Sequence, residues 1–93
     1  MEQKFIYAWQ AARKQAELLG VRMRPIEETT AMAAAHRCLL GHRESDGFFQ
    51  LASKGRLDLT LEALAVKKQF TCLFSDEEAN NALTRLLDAG YTF

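Results

Sequence analysis

Arg56-Leu57-Asp58-Leu59-Thr60-Leu61-Glu62-Ala63-Leu64 is the stretch on which the fold class turns. Leu57, Leu59 and Leu61 alternate with Asp58, Thr60 and Glu62, which is the period of a half-buried strand. Leu57, Leu61, Leu64 and Ala65 equally fall on one face of a helix. A strand needs partners, and no second stretch of the chain alternates as clearly. The segment is therefore read as a helix over residues 58–68, with Asp58 able to cap it, and a short strand at 56–62 is the alternative.

Toward the C-terminus the reading becomes firm. In Phe74-Ser75-Asp76-Glu77-Glu78-Ala79, Ser75 and Glu78 have the spacing of a capping box and Phe74 can staple onto Ala79. Ala79, Ala82, Leu83, Leu86 and Leu87 give the apolar side of the helix that follows, and Gly90-Tyr91 fits its end. Toward the N-terminus, Ser45 and Asp46 offer a cap before Phe48, Phe49, Leu51 and Ala52, and Gly55 closes that short helix. A longer helix is predicted over residues 25–40, opened by Pro25 and by Glu27 and Glu28 at its positive end, and stopped by Gly41. The first helix covers residues 3–19: Phe5, Trp9, Ala12, Ala16 and Leu19 recur at spacings of three and four, and Gly20 ends it. Trp9 is its core anchor. The expectation is a single all-α domain, residues 1–93, built as a compact bundle of about five short-to-medium helices.

Composition is compatible with one core and argues against several classes of protein. At 93 residues, 48% apolar and 26% charged, the chain has the make-up of a globular domain and not of a disordered or fibrous segment. Twelve basic and twelve acidic residues cancel, so the whole chain lacks the positive field that attracts nucleic acid or an anionic membrane. The distribution is uneven: residues 1–56 carry nine Lys or Arg against six Asp or Glu, and residues 57–93 carry three against six. Two cysteines are too few for a disulfide framework, and the chain has neither a signal-peptide core nor a run of about 20 apolar residues. A cytoplasmic setting without membrane attachment is expected.

Chemistry-bearing residues are few. His36, Cys38 and His42 are ligand types for a transition metal, but residues two apart on a helix point about 200° away from each other. Cys72 could only complete such a site by folding over, so no metal or other cofactor is expected and a small metal-binding domain is a minor alternative. For catalysis the candidates are His36, His42, Ser45, Asp46 and the two cysteines, none in a diagnostic motif, so no catalytic residue is assigned and the chain is not read as an enzyme. Phe48 to Leu64 can be written as helix, tight turn at Gly55 and second helix, the outline of a helix-turn-helix. Lys54, Arg56, Lys67 and Lys68 would then touch phosphates, although Asp58 and Glu62 place negative charge on the recognition side.

Protein recognition asks less of a sequence. Six Phe, two Tyr and one Trp are many for a chain of this size to hide, and Phe5, Tyr7, Phe70, Phe74, Tyr91 and Phe93 lie at element ends or in connections. The leading expectation is a non-catalytic helical interaction module using these aromatics toward a protein partner or a second copy of itself. Its length, neutrality and lack of catalytic motifs suit a small accessory protein of a bacterium, phage or plasmid.

Overall fold

The computed structural model describes residues 1–91. Its five α-helices are α1 (Glu2–Leu18), α2 (Ala31–Leu40), α3 (Phe48–Ser53), α4 (Leu61–Ala65) and α5 (Asp76–Asp88), with 3₁₀ turns at Leu57–Leu59 and Thr71–Leu73. No strand occurs among the described residues, so the fold is all-α. No helix among them is long and apolar enough to cross a membrane.

α5 begins as its sequence dictates. Ser75 Oγ accepts from the Glu78 backbone N–H at 3.2 Å, and Glu78 Oε1 accepts from the Ser75 N–H at 2.8 Å, closing the capping box. Ala82 and Leu86 carry its buried face against α4 and α2.

The decisive stretch resolves in an unforeseen way. A continuous helix over 58–68 does not form; a 3₁₀ turn runs into a five-residue helix, broken at Thr60, whose backbone is extended (φ −81°, ψ 157°). Thr60, not Asp58, is the cap: its fully buried hydroxyl accepts from Ala63 N–H at 3.1 Å and donates to the Leu57 carbonyl at 2.7 Å. Neither pattern holds whole: Leu57, Leu59 and Leu61 are buried as the alternation implies, but Thr60 and Glu62 are buried with them, and only Leu61 through Ala65 form helix as the second pattern implies.

Two further helix starts differ from expectation. The second helix begins at Ala31 and not near Pro25, because tertiary hydrogen bonds claim the preceding backbone. Gln10 Nε2 donates to the Ile26 carbonyl at 3.0 Å, and Arg13 Nε donates to the Met23 and Arg24 carbonyls at 3.2 and 3.1 Å. An Ile26 carbonyl so engaged does not take up the Thr30 N–H as a helix requires; that N–H goes to Glu27 instead. Residues 21–27 thus form an irregular strap laid along α1. The cap of α3 is Gly47 and not Ser45 or Asp46. Gly47 has φ +77°, and a Cβ there would come within 2.8 Å of Val21 Cγ1, so both the backbone turn and the close approach of the strap demand glycine.

The main core joins Phe5, Ile6, Trp9, Ala12 and Ala16 of α1 to Ala31, Ala35 and Leu39 of α2, with Leu61, Leu64, Phe70 and Phe74 beneath. Phe5 meets Phe70 and Phe74 edge-on, with ring centroids 5.3 and 5.1 Å apart, the arrangement that favours aromatic quadrupoles. A smaller cluster holds Phe48, Leu57, Ala63 and Leu86, against which Tyr91 packs.

Candidate functional site

A buried polar cluster sits where α2, α4, α5 and the 41–47 loop meet. Glu62 is wholly buried, and its carboxylate accepts from Ser45 N–H at 2.9 Å, from Ser45 Oγ at 2.5 Å and from Arg85 Nη1 at 3.2 Å. Arg85 turns its other terminal nitrogen to the end of α2, donating to the Cys38 carbonyl at 3.2 Å and the Gly41 carbonyl at 2.7 Å. Asn81 Nδ2 adds a bond to the Leu39 carbonyl at 2.9 Å. The last turn of a helix leaves carbonyls without intrahelical partners and carries negative potential; a guanidinium answers both. The cluster thereby ties α2 to α4 and α5.

Its chemistry is that of a satisfied structural ion pair. Both Glu62 oxygens are occupied, and Ser45 Oγ donates its hydrogen bond to the Glu62 carboxylate and not to a histidine base. Burial, and then the Glu62 charge, push the Cys38 thiol above its ordinary value, with Arg85 opposing, which is the reverse of an activated cysteine. His36 Nδ1 lies 2.5 Å from Glu78 Oε2, and its ring rests on Phe74. Burial works against the Glu78 charge, yet the Ser75 backbone and hydroxyl and His36 together hold its pKa below the ordinary value.

The metal reading does not assemble. His36 is turned to Glu78, Cys38 lies toward Arg85 and Glu62, and His42 is exposed. Among the described residues no three His, Cys, Asp or Glu side chains converge to hold a metal ion. The helix-turn-helix outline meets a geometric obstacle: α4 is five residues long and every one of them is buried, so it has no face to offer a DNA groove. Lys54, Lys67 and Lys68 are exposed, but Arg56 is paired to Asp58 by two bonds of 3.0 and 3.2 Å.

The aromatics expected at the surface are largely elsewhere. Phe5, Phe70 and Phe74 are buried at 0%, 3% and 8% exposure, because they pack on one another at the centre of the core. Tyr7 is exposed, its hydroxyl accepting from Gln3 Nε2 at 2.8 Å. Tyr91 is half-buried, and Phe93 lies outside the described residues. The large apolar side chains that do face solvent include Leu18, Leu40, Phe49 and Leu87, with exposures of 88%, 49%, 67% and 58%. A sequence signal for them existed. Each belongs to an apolar doublet, Leu18-Leu19, Leu39-Leu40, Phe48-Phe49 or Leu86-Leu87, and neighbours on a helix point about 100° apart, so one member faces the core and the other leaves it.

The structure also has a cleft of about 410 Å³ between the strap, one side of α2 and residues 44–46. Trp9 and Leu61 form part of its wall, with Met23, Ala31, Ala34 and Cys38. Arg24, Glu27, Arg37, Glu44 and Asp46 supply its charges. Comparison of the chain with known protein families, curated proteins and solved structures found no match.

Proposed function

We propose that the chain is a small, non-catalytic helical interaction module that pairs with a protein partner, in the first instance a second copy of itself, in the cytoplasm. The observation that carries this reading is the set of exposed apolar side chains at Leu40, Phe49 and Leu87. Each is the chain neighbour of a residue tied into the same region of the fold: Gly41, whose carbonyl takes Arg85, and Phe48 and Leu86, which share the smaller core cluster. A contiguous exposed apolar patch, unlike scattered single side chains, marks a surface that meets another protein, and we take these three side chains as parts of one such patch. The neutral net charge and the engagement of Arg56 with Asp58 support a protein occupant over a nucleic acid. The non-catalytic part is supported by the occupied state of Glu62, Ser45 and His36 and by the raised Cys38 thiol.

Light scattering and sedimentation at tens of micromolar protein test the reading. The expected result is a dimer that persists between about 50 and 200 mM salt, since apolar burial is little screened, and that Phe49→Glu converts to a monomer whose melting temperature no longer depends on protein concentration and matches that of the parent diluted to monomer. Six phosphate contacts would lose about three decades of affinity over that salt range, so steep salt-dependent binding to one duplex would point to DNA instead. A chain that is monomeric at these concentrations and unaffected by Phe49→Glu overturns the proposal.

A further inference from the structure

Trp9 is nine-tenths buried and its indole N–H has no hydrogen-bond acceptor among the described residues. Buried donors are almost always paired, because an unpaired one forfeits its hydration and gains nothing in return. This one belongs to a residue in the wall of the 410 Å³ cleft, a volume in the range of ligand-binding cavities. Met23, Ala31, Ala34 and Leu61 make the neighbouring wall apolar. At the rim, Arg24 lies 3.6 Å from Asp46. Arg37, Glu27 and Glu44 make no ion pair among the described residues, so the rim carries free charge of both signs.

These features narrow the occupant. An anion alone would meet Glu27 and Glu44, and a cation alone would meet Arg37. A neutral acceptor attached to an apolar body satisfies the indole N–H and the wall together, and a peptide unit is such an acceptor. The geometry points to a binding site for a short segment of a partner polypeptide, with an apolar side chain against the partly exposed Ala34 and Ile26 and a backbone carbonyl on Trp9 Nε1. This rests on the reading of the chain as an interaction module and gives it a second, concave contact. Nε1 is closed to solvent in the unoccupied chain. Access requires the strap to give, and the strap has no helix of its own, held to α1 through the Gln10 and Arg13 side chains.

Trp9 is the chain's only tryptophan, so its indole ¹H–¹⁵N resonance is a unique reporter. The intact protein is titrated to tens of millimolar with N-acetyl-leucine methylamide, and separately with sodium acetate and with ethylammonium chloride. The leucine amide is expected to shift the indole signal and the Ala31 and Ala34 amides saturably. Trp9→Phe should weaken that binding roughly two- to tenfold, the worth of one hydrogen bond. Ala34→Trp, which fills the cleft, should abolish it, with Ala34→Leu as the milder variant where circular dichroism shows misfolding. Ala33→Trp, on the exposed side of the same helix, should leave it unchanged. No saturable shift with the leucine amide, or a shift undiminished by either Ala34 variant, overturns the proposal. Equal saturation by acetate or ethylammonium replaces the peptide with a simple ion site. Binding unchanged in Trp9→Phe removes the indole from it. A dimer that Phe49→Glu disrupts while this titration fails shows that the interaction reading stands and the cleft proposal alone is wrong.

Discussion

α5 and the 21–30 segment are both rich in polar residues and both border α2, yet one is a regular helix from its first predicted residue and the other forms no helix at all. The difference lies in where their backbone groups find partners. At α5 a serine and a glutamate three residues apart satisfy each other's amides within one turn, so the start is encoded in four consecutive positions. Pro25, Glu27 and Glu28 are also good signals for a helix start, but Gln10 and Arg13 reach across from α1 and take the carbonyls. Thr29 and Thr30 add little helix propensity to resist them. A local signal wins where nothing distant competes for the same backbone atoms.

α2 depends on distance at its other end too, and there the largest effect is expected. Arg85→Ala would strip the Cys38 and Gly41 carbonyls of their donor and leave the Glu62 charge buried with only Ser45 opposite. Removing one member of a buried pair costs roughly 3 to 5 kcal/mol, a severe loss for a domain of this size. Chemical denaturation should show it, with hydrogen exchange rising first in residues 36–41. The double variant Arg85→Leu with Glu62→Leu should be less damaged than Arg85→Ala, because no orphaned charge remains. If Arg85→Ala changes stability by less than about 1 kcal/mol, α2 is held by its own sequence, and the contrast with α5 collapses.

How far the fold could be read from residues follows the same division. The stops at Gly20, Gly41 and Gly90, the capping box at Ser75 and the apolar stripe of α1 are local patterns, and the helices end or begin there as read. The break at Thr60 was not legible, because a threonine between leucines looks like the exposed side of a strand or helix. Only the packing of both its neighbours drives its hydroxyl inward to a cap. The site residues fared worse. Placement at an element's end is a poor guide to exposure when the connections themselves fold into the core, as Phe70 and Phe74 do. The apolar doublets carried better information about exposure than the aromatics did.

A smaller effect tests the local half of the comparison. Ser75→Ala removes the hydroxyl that accepts from Glu78 N–H, and loss of a capping side chain typically costs about 1 kcal/mol. Thermal melts should show a fall of several degrees, and Ser75→Asp should recover most of it, since any short side chain with an acceptor oxygen serves that position. A fall of less than about a degree would mean that the start of α5 is also fixed by tertiary contacts, through His36 and Phe74, and that its local code is redundant.

The smallest effect separates those two sources at Glu78, which belongs to both. Its carboxylate accepts from Ser75 within the capping box and from His36 across to α2, and it is held ionised below the ordinary carboxylate range despite burial. A carboxyl whose folded pKa lies below its unfolded value stabilises the fold at every pH above that unfolded value, near 4.3 for glutamate. The contribution is lost as the pH falls from there through the lower folded value, because the unfolded chain takes up the proton first. Asp58 is lowered in the same direction by Arg56, so it falls away in the same window and must be subtracted. Denaturation midpoints measured from pH 6 down to pH 3 should therefore decline less steeply in Glu78→Gln than in the parent, with Asp58→Asn as the background for both. His36→Phe should keep the ring contact with Phe74 while removing the partner across to α2. If it flattens the profile as much as Glu78→Gln does, the distant partner dominates; if the slope survives, the charge is held by Ser75, and this end of α5 is local in its electrostatics as well as in its hydrogen bonds.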